Sequence, residues 1–444
     1  MTTYFKQHKG HMHMKKCLAF IILLISVIVS GCAGKNAGGS GTAQGTGAAG
    51  NTSAQSSGGT ASQSSGGQQQ NETKDKNSKD GRDFFAMDTY ISITAYGEHC
   101  TEAVEAGKAE IERLEQLIST EIDTSEISIL NHEKKAELSE DTAYLLKRAK
   151  DISEQTDGAF DIAIYPLMQE WGFPSKNYHV PEQSRIDELL KICDISGLEL
   201  HDGDKTEAAE VQAGNDKNAD SSISAGKPET QRSADAGAAT EAAAVAGEPS
   251  ESSTANAASA EFTIDGMEVD LGGIAKGYAS SRLMDVFREC GVTSGIVDLG
   301  GNVQTLGYKP DGSLWRVGIK DPDDQTRAMC TLGIHDKTVI TSGGYQRFFE
   351  ENGVRYHHII DPDTGYPADS GLLSVSIISD DGTLADALST SLFIMGLDKA
   401  AAFWLEHSDE FDAVFYTSDR KLYITEGLKE DYSSPSKTYV IKKK

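Results

Sequence analysis

The feature that most limits how this chain can fold is a long segment near its middle, residues 203–260, in which Ala, Ser, Glu and Asp dominate and large apolar side chains are almost absent. Such a segment cannot bury enough apolar surface to offset the entropy of ordering it, so no core can be built from it. Its flanks differ. Leu198-Glu-Leu200 and Phe262-Thr-Ile264 both read as short strands. Either the segment expands a hairpin turn inside one domain, which loop entropy tolerates because closure cost grows only logarithmically with length, or it links two domains. We favour the insertion, and that choice requires motifs before and after it to serve one site.

A second stretch without apolar content, residues 33–80, is rich in Gly, Ser, Ala, Thr, Gln and Asn and reads as a flexible leash. Before it, Lys15 and Lys16 precede an apolar run over 17–29 that is short for a membrane span and ends in Val29-Ser30-Gly31-Cys32. That ending resembles a bacterial lipobox, which implies cleavage before Cys32 and a lipid on its sulfur. An uncleaved anchor helix is the alternative, and on either reading the protein is exported and tethered. The expected organisation is a lipoprotein signal peptide over 1–31, a Gly/Ser-rich tether over 32–82, one folded domain over 83–430 with the insertion inside it, and a basic tail over 431–444.

The chain has 444 residues and a formal charge of -27. A charge of that sign argues against nucleic acid as a partner, since binding phosphates needs a basic face. Of six cysteines, Cys17 and Cys32 lie in the export segment, while Cys100, Cys193, Cys290 and Cys330 are widely scattered with no C-x-x-C. Neither a zinc site nor a disulfide framework is indicated, and free thiols are expected.

The folded part is expected to begin near Phe84. Residues 87–95 alternate as a strand, while 102–118 and 141–156 carry apolar residues at helical spacing. A helix running to Cys290 is followed by strands at 295–299, 303–306, 315–319, 338–341, 356–360 and 373–378. Helices at 384–395 and 400–407 then precede strands at 413–416 and 421–425. Strands in runs with helices between them predict an α+β fold with a largely antiparallel sheet.

Residues 269–283, Val-Asp-Leu-Gly-Gly-Ile-Ala-Lys-Gly-Tyr-Ala-Ser-Ser-Arg-Leu, form a strand end, a Gly pair and a helix start. Unpaired N–H groups at such a start favour an anion, and Lys276 adds a positive charge beside Asp270; the alternative is a plain corner with a solvated lysine. Asp386 and Thr390 stand four apart, one helical turn, and could give a cation two hard oxygens or serve only the helix itself. His357 and His358 on a strand must face opposite ways, so one of them could act as a base in a given pocket. Asp157-Gly-Ala-Phe-Asp161 could wrap a ring or merely turn the chain. No G-x-G-x-x-G, G-x-x-x-x-G-K-[ST], G-x-S-x-G or H-E-x-x-H is present, which sets aside Rossmann, P-loop, esterase and zincin readings.

Taken in order, eight stretches resemble the ApbE-type FAD:protein FMN transferases, which are exported flavin-transfer lipoproteins. They are Met87-Asp-Thr89, Ser125-Glu-Ile-Ser128 with Asn131, Gly158-Ala-Phe-Asp161 with Trp171-Gly172, Asp270-Leu-Gly-Gly-Ile-Ala-Lys-Gly277, Asp298-Leu-Gly-Gly-Asn302, Thr341-Ser-Gly343, His358-Ile-Ile-Asp-Pro362 and Ala385-Asp-Ala-Leu-Ser-Thr390. The resemblance implies a single α+β domain around one FAD, which is substrate and not a redox group. Met87, Ala159, Phe160, Asp161, Asp270, Lys276, His358 and Ile359 match positions that hold FAD. Asp386, Thr390 and a main-chain carbonyl of the glycine turn, that of Gly273, match Mg²⁺ ligands, and His358 matches the base. The implied reaction is attack of a Ser or Thr hydroxyl of an acceptor flavoprotein on the FMN phosphorus, with AMP leaving. The implied location is the outer face of the cytoplasmic membrane, with a membrane redox-complex subunit as a family-type acceptor. Hydrolysis of FAD to FMN and AMP, or flavin carriage without catalysis, are the alternatives. Two departures stand out: Asp88 where many relatives have glycine, and Glu121 where relatives often have an aromatic residue.

Overall fold

The computed structural model describes residues 78–203 and 258–443. The export segment with Cys32, most of the tether and the interior of the insertion lie outside the described residues. In chain order the first elements are β1 (Lys79–Ala86), β2 (Thr89–Tyr96), α1 (Cys100–Ile118), α2 (Glu126–Glu133), β3 (Lys135–Leu138), α3 (Glu140–Gln155), α4 (Tyr165–Glu170), α5 (Gln183–Leu189), β4 (Leu198–His201) and β5 (Ala258–Phe262). Next come α6 (Ala275–Glu289), β6 (Ser294–Leu299), β7 (Asn302–Leu306), β8 (Trp315–Asp321), β9 (Asp324–Ile334), β10 (Thr338–Gly343), β11 (Phe348–Glu351) and β12 (Val354–His357). The chain closes with β13 (Leu372–Ser379), α7 (Gly382–Glu406), β14 (Asp412–Thr417), β15 (Leu422–Thr425), β16 (Tyr432–Ser433) and β17 (Thr438–Ile441).

A nine-stranded sheet in the order β1-β2-β6-β7-β10-β13-β14-β15-β17 is the frame of the fold. Every pairing in it is antiparallel except β15 with β17. Its strands alternate between two cores, as a period of two requires. Ile340, Ile377 and Phe415 face the helices, while Val339, Ile378 and Val414 face the three-stranded sheet β16-β9-β8. On the helical side α1 and α6 pack through Ile111, Leu114, Leu283 and Phe287 against Ile93 and Val297. Helix α7 is apolar and long enough to cross a membrane, yet it is a core element packed on β10 and β13, with Leu388, Leu392 and Trp404 buried.

Helix starts are set by the residues at their caps. Ser125 accepts from Ser128 N (2.9 Å), Ser139 from Thr142 N (3.3 Å) and Asp381 from Leu384 N (3.0 Å). The two helices expected at 384–395 and 400–407 are one run that breaks at Gly396, whose φ of 78° only glycine adopts freely. All four cysteines among the described residues are free thiols.

Strand β4 pairs antiparallel with β5, Leu198 opposite Phe262 and His201 opposite Ser259, so the insertion leaves and re-enters at adjacent points of a small sheet completed by β3. The chain on either side of it therefore belongs to one fold. Several boundaries differ from expectation, among them the strand expected over 356–360, which is β12 over Val354–His357 and leaves His358 just beyond it. The fold begins at Lys79 rather than near residue 83, because β1 pairs along its whole length with β2. The strand expected from Phe262 ends there, because pairing with two neighbours holds 258–262 extended. The basic tail supplies two strands, β16 on β9 and β17 on β15, before its lysines.

Candidate active site

The site is built at the start of α6. Asn131 clamps the chain entering the glycine turn, its Oδ1 accepting from Val269 N (2.8 Å) and its Nδ2 donating to Val269 O (2.9 Å). Asp270 accepts from Gly272 N (3.1 Å), and burial raises its pKa against the opposing pull of that bond, Lys276 and Arg347. Helix α6 has no side-chain cap of its own at Ile274. Its Gly277 N–H donates instead to Asp386 Oδ2 of α7 (2.8 Å), so the N-terminal end of one helix is closed by a carboxylate from another. Gly277 and Gly382 make this approach possible. A Cβ on Gly277 would lie 2.6 Å from Asp386 Cβ and nearer still to Gly382 O.

Asp386 is only 5% exposed. Its Oδ1 accepts from Asn302 Nδ2 (3.0 Å), and Lys276 Nζ lies 3.8 Å from Oδ2 while donating to Gly272 O (2.6 Å). One turn along α7, Thr390 Oγ1 is 3.2 Å from Ser342 Oγ, which also meets Ser389 Oγ at 2.8 Å. These groups fit a hard divalent cation: a carboxylate with a spare lone pair on each oxygen, a hydroxyl, and main-chain carbonyls of the glycine turn. An ammonium already bridges one such carbonyl and the carboxylate. The carbonyl it takes is that of Gly272. Gly273 precedes the helix, whose N-cap is Ile274, so its carbonyl takes no intrahelical bond, and the Gly277 N–H is spent on Asp386.

His358 follows β12. Its backbone N–H donates to Arg347 O (3.1 Å), and its Nδ1 lies 3.2 Å from the same oxygen. A carbonyl can only accept, so Nδ1 carries the proton and the lone pair sits on Nε2. Burial first, then the Arg347 charge, pushes the imidazole down to about 3. It is neutral at any physiological pH.

The remaining expected residues surround this centre. Phe160 is buried against the turn, 3.2 Å from where a Cβ on Gly273 would stand, and Ala159 precedes it in a turn on Thr156 O. Asp161 is committed to the backbone, accepting from Ala163 N (2.7 Å) and Ile195 N (3.1 Å), and burial pushes its carboxyl up to about 6. Ile359 is buried beside His358, its carbonyl accepting from Ala368 N at 2.9 Å. Met87 and Asp88 are the two central residues of the β1–β2 hairpin, each with φ 51°, a left-handed conformation in which Asp is among the few non-glycine residues tolerated. The departure at Asp88 is therefore compatible with the turn's backbone. Met87 N is held by Glu115 Oε1 at 2.6 Å.

Asn302, Ser342 and Arg347 were not singled out from the sequence. The first two lay inside recognised motifs, whereas nothing in its neighbourhood marked Arg347. Two clefts, of about 510 and 700 Å³, lie elsewhere; the larger is lined by Arg113, Asp141, Tyr278 and Arg282, and neither includes Lys276 or Asp386.

Comparison with known proteins identifies the family of the chain. The model of the ApbE family matches residues 87–415. The FAD:protein FMN transferase of Treponema pallidum is 30% identical over 356 residues, which cover 77% of this chain and 85% of that protein. The protein of the same name from Klebsiella pneumoniae is 30% identical over 319 residues, 71% of this chain and 82% of that one. The crystal structure of the ApbE protein from Thermotoga maritima matches with a TM-score of 0.63 at 27% identity, over 79% of this chain and 98% of that chain. The flavin transferase ApbE from Vibrio cholerae shares the fold with a TM-score of 0.61 at 22% identity, over 80% of this chain and 99% of that chain.

Proposed function

The chain belongs to the ApbE family and is a transferase of the FAD:protein FMN class, and we propose that it moves FMN from FAD to a Ser or Thr hydroxyl of an exported acceptor protein, with Mg²⁺ and with release of AMP. The observation that carries this reading is the convergence on Asp386 of the α6 N-terminus, Lys276 and Asn302, with Thr390 one turn away. A carrier of flavin needs no buried carboxylate at a helix start.

The roles follow from chemistry at stated atoms. The helix start and Lys276 receive the diphosphate of FAD, where negative charge accumulates as the bond to AMP lengthens. The hydroxyl oxygen of the acceptor bonds to the FMN phosphorus, its proton passes to His358 Nε2, and the oxygen bridging the two phosphorus atoms leaves with AMP. An imidazole held neutral can accept that proton, and the arriving diphosphate raises its basicity by favouring the imidazolium. Asp386, Thr390 and the glycine-turn carbonyl would hold Mg²⁺, which when bound supplies Lewis-acid stabilisation of the phosphoryl oxygens. Met87, only partly buried, offers apolar surface for a ring of FAD and packs on the core cluster that includes Phe160 and Ile359. Export and anchoring through a lipid on Cys32 complete the proposal, supported by Lys15, Lys16, the apolar run and the Ser-Gly-Cys ending.

The test is incubation of the soluble part with FAD, Mg²⁺ and an acceptor domain carrying a Ser/Thr site, reading covalent flavin on the acceptor and released AMP. EDTA-sensitive flavin on the acceptor supports the transfer. AMP without protein-bound flavin would establish the hydrolase instead.

A further inference from the structure

The pairing of β11 with β12 continues one rung beyond the strands. Phe348 opposes His357, and on the next rung His358 N donates to Arg347 O. Residues opposed on such a rung project their side chains from the same face, with Cβ atoms about 5 Å apart. The Arg347 guanidinium therefore leaves the hairpin beside the His358 imidazole. Its charge acts on both His358 and Asp270, the residue that opens the glycine turn.

Among the described residues, the Arg347 side chain is held in this position by the β1–β2 turn alone. Nη2 donates to Asp88 Oδ2 (3.0 Å) and to Asp88 O (3.3 Å), and no other guanidinium nitrogen has a hydrogen bond among the described residues. Asp88 also lies 3.8 Å from Lys176 Nζ, and the Arg347 and Asp88 side chains are 57% and 51% exposed. An ion pair so open to water is weak and readily exchanged. A diphosphate engages a guanidinium through two parallel bonds and carries more charge than one carboxylate.

We propose that Arg347 is a specificity-determining residue for the phosphates of FAD: as the diphosphate enters, the guanidinium turns from Asp88 to it and supplies a second cation beside Lys276. Asp88 is the partner that holds the guanidinium before substrate arrives and competes with the phosphates for it. The inference rests on the transferase reading, since it requires FAD in this pocket.

The experiment is a fluorescence titration of the purified protein, in Mg²⁺ and without acceptor, using FAD and riboflavin as probes and ADP against adenosine as competitors. Arg347→Gln should weaken FAD and ADP about tenfold, with riboflavin and adenosine unchanged. Arg347→Lys should recover part of the loss. Asp88→Asn should tighten FAD by up to about threefold, and that gain should vanish when combined with Arg347→Gln. Equal weakening of FAD and riboflavin would show that Arg347 only supports the hairpin, and unaltered FAD affinity would show that it does not reach the phosphates; either result overturns the proposal. A protein that binds FAD with these contrasts but flavinylates no acceptor would instead overturn the proposed function and leave Arg347 in its role.

Discussion

Replacing Gly277 with alanine tests whether the crossing of α6 and α7 sets the site. In an ordinary helix the change is favourable, by about 1 kcal/mol of propensity. Here the new Cβ would stand 2.6 Å from Asp386 Cβ and closer to the Gly382 carbonyl, whereas carbon atoms pack at about 3.5–4.0 Å. Both neighbours are main chain or anchored to it, so the helices must part by roughly 1 Å to reach normal contact. The Gly277 N to Asp386 Oδ2 bond, now 2.8 Å, then opens past bonding range. Overpacking costs about 1–3 kcal/mol and a lost bond to a buried charge about 1.5–3, so after the propensity gain the variant should be about 1.5–5 kcal/mol less stable. A shift of that size at the phosphate site should lower transfer about a hundredfold. Urea unfolding and covalent-flavin assays measure both. Gly107→Ala in α1 is the control: its Cβ meets the Leu283 Cδ2 methyl at 2.9 Å, a side-chain end that can rotate away, so it should stay within about 1 kcal/mol of the parent protein. A Gly277→Ala protein with undiminished stability and transfer would refute the argument that this contact positions Asp386.

Asp386→Ala should abolish Mg²⁺-dependent transfer and lower stability by about 2 kcal/mol, because Gly277 N–H and Asn302 Nδ2 lose their acceptor; Mg²⁺ titration of turnover and urea unfolding check the two effects separately. With His358 held down to about 3, the folded protein resists protonation there, so kcat/KM should show no acid limb near 6.5 that depends on this residue. A limb near 6.5 that disappears in His358→Gln would contradict the burial argument. The same residue makes stability fall as the pH drops from about 6.5 toward 3, since the unfolded chain binds the proton that the folded chain refuses. Joining His201 to Ala258 by a short turn, without residues 204–257, should leave folding and transfer unchanged, because those strands are already paired at the neck; an inactive or unfolded product would show that the insertion has a structural part.

The sequence made the centre legible in part, where spacing dictates geometry. Spacing put Asp386 and Thr390 one helical turn apart and a glycine turn before Lys276, but left a plain corner and a helix-internal use open, and only the family resemblance singled these residues out. What closes the site was not legible, because it comes from distant contacts. Asn302 reaches Asp386 from a hairpin, Ser342 reaches Thr390 from a strand end, and Arg347 owes its place to the pairing of β11 with β12. The same holds for β17, a short Thr-Tyr-Val-Ile run before three lysines that becomes a strand only because β15 offers an edge. Asp161 is a milder case. A motif assigned it to the ligand, and the structure shows its oxygens occupied by two backbone N–H groups, so whatever it does for FAD it does while organising the loop.

The order of the large sheet has a consequence for how the chain assembles. Its strands lie side by side in the sequence in which they are made, so each new strand finds its neighbour already in place. Several seams join strands that are not consecutive, β7 to β10 and β10 to β13 among them. The longest separation is that of Tyr96 of β2 from Ser294 of β6, across the helical region and the insertion. Closing that loop carries the largest entropic cost of any pairing in the sheet, so it is expected to limit the folding rate. Substitutions along this seam should therefore alter the folding rate, while those farther along the sheet mainly alter the rate of unfolding.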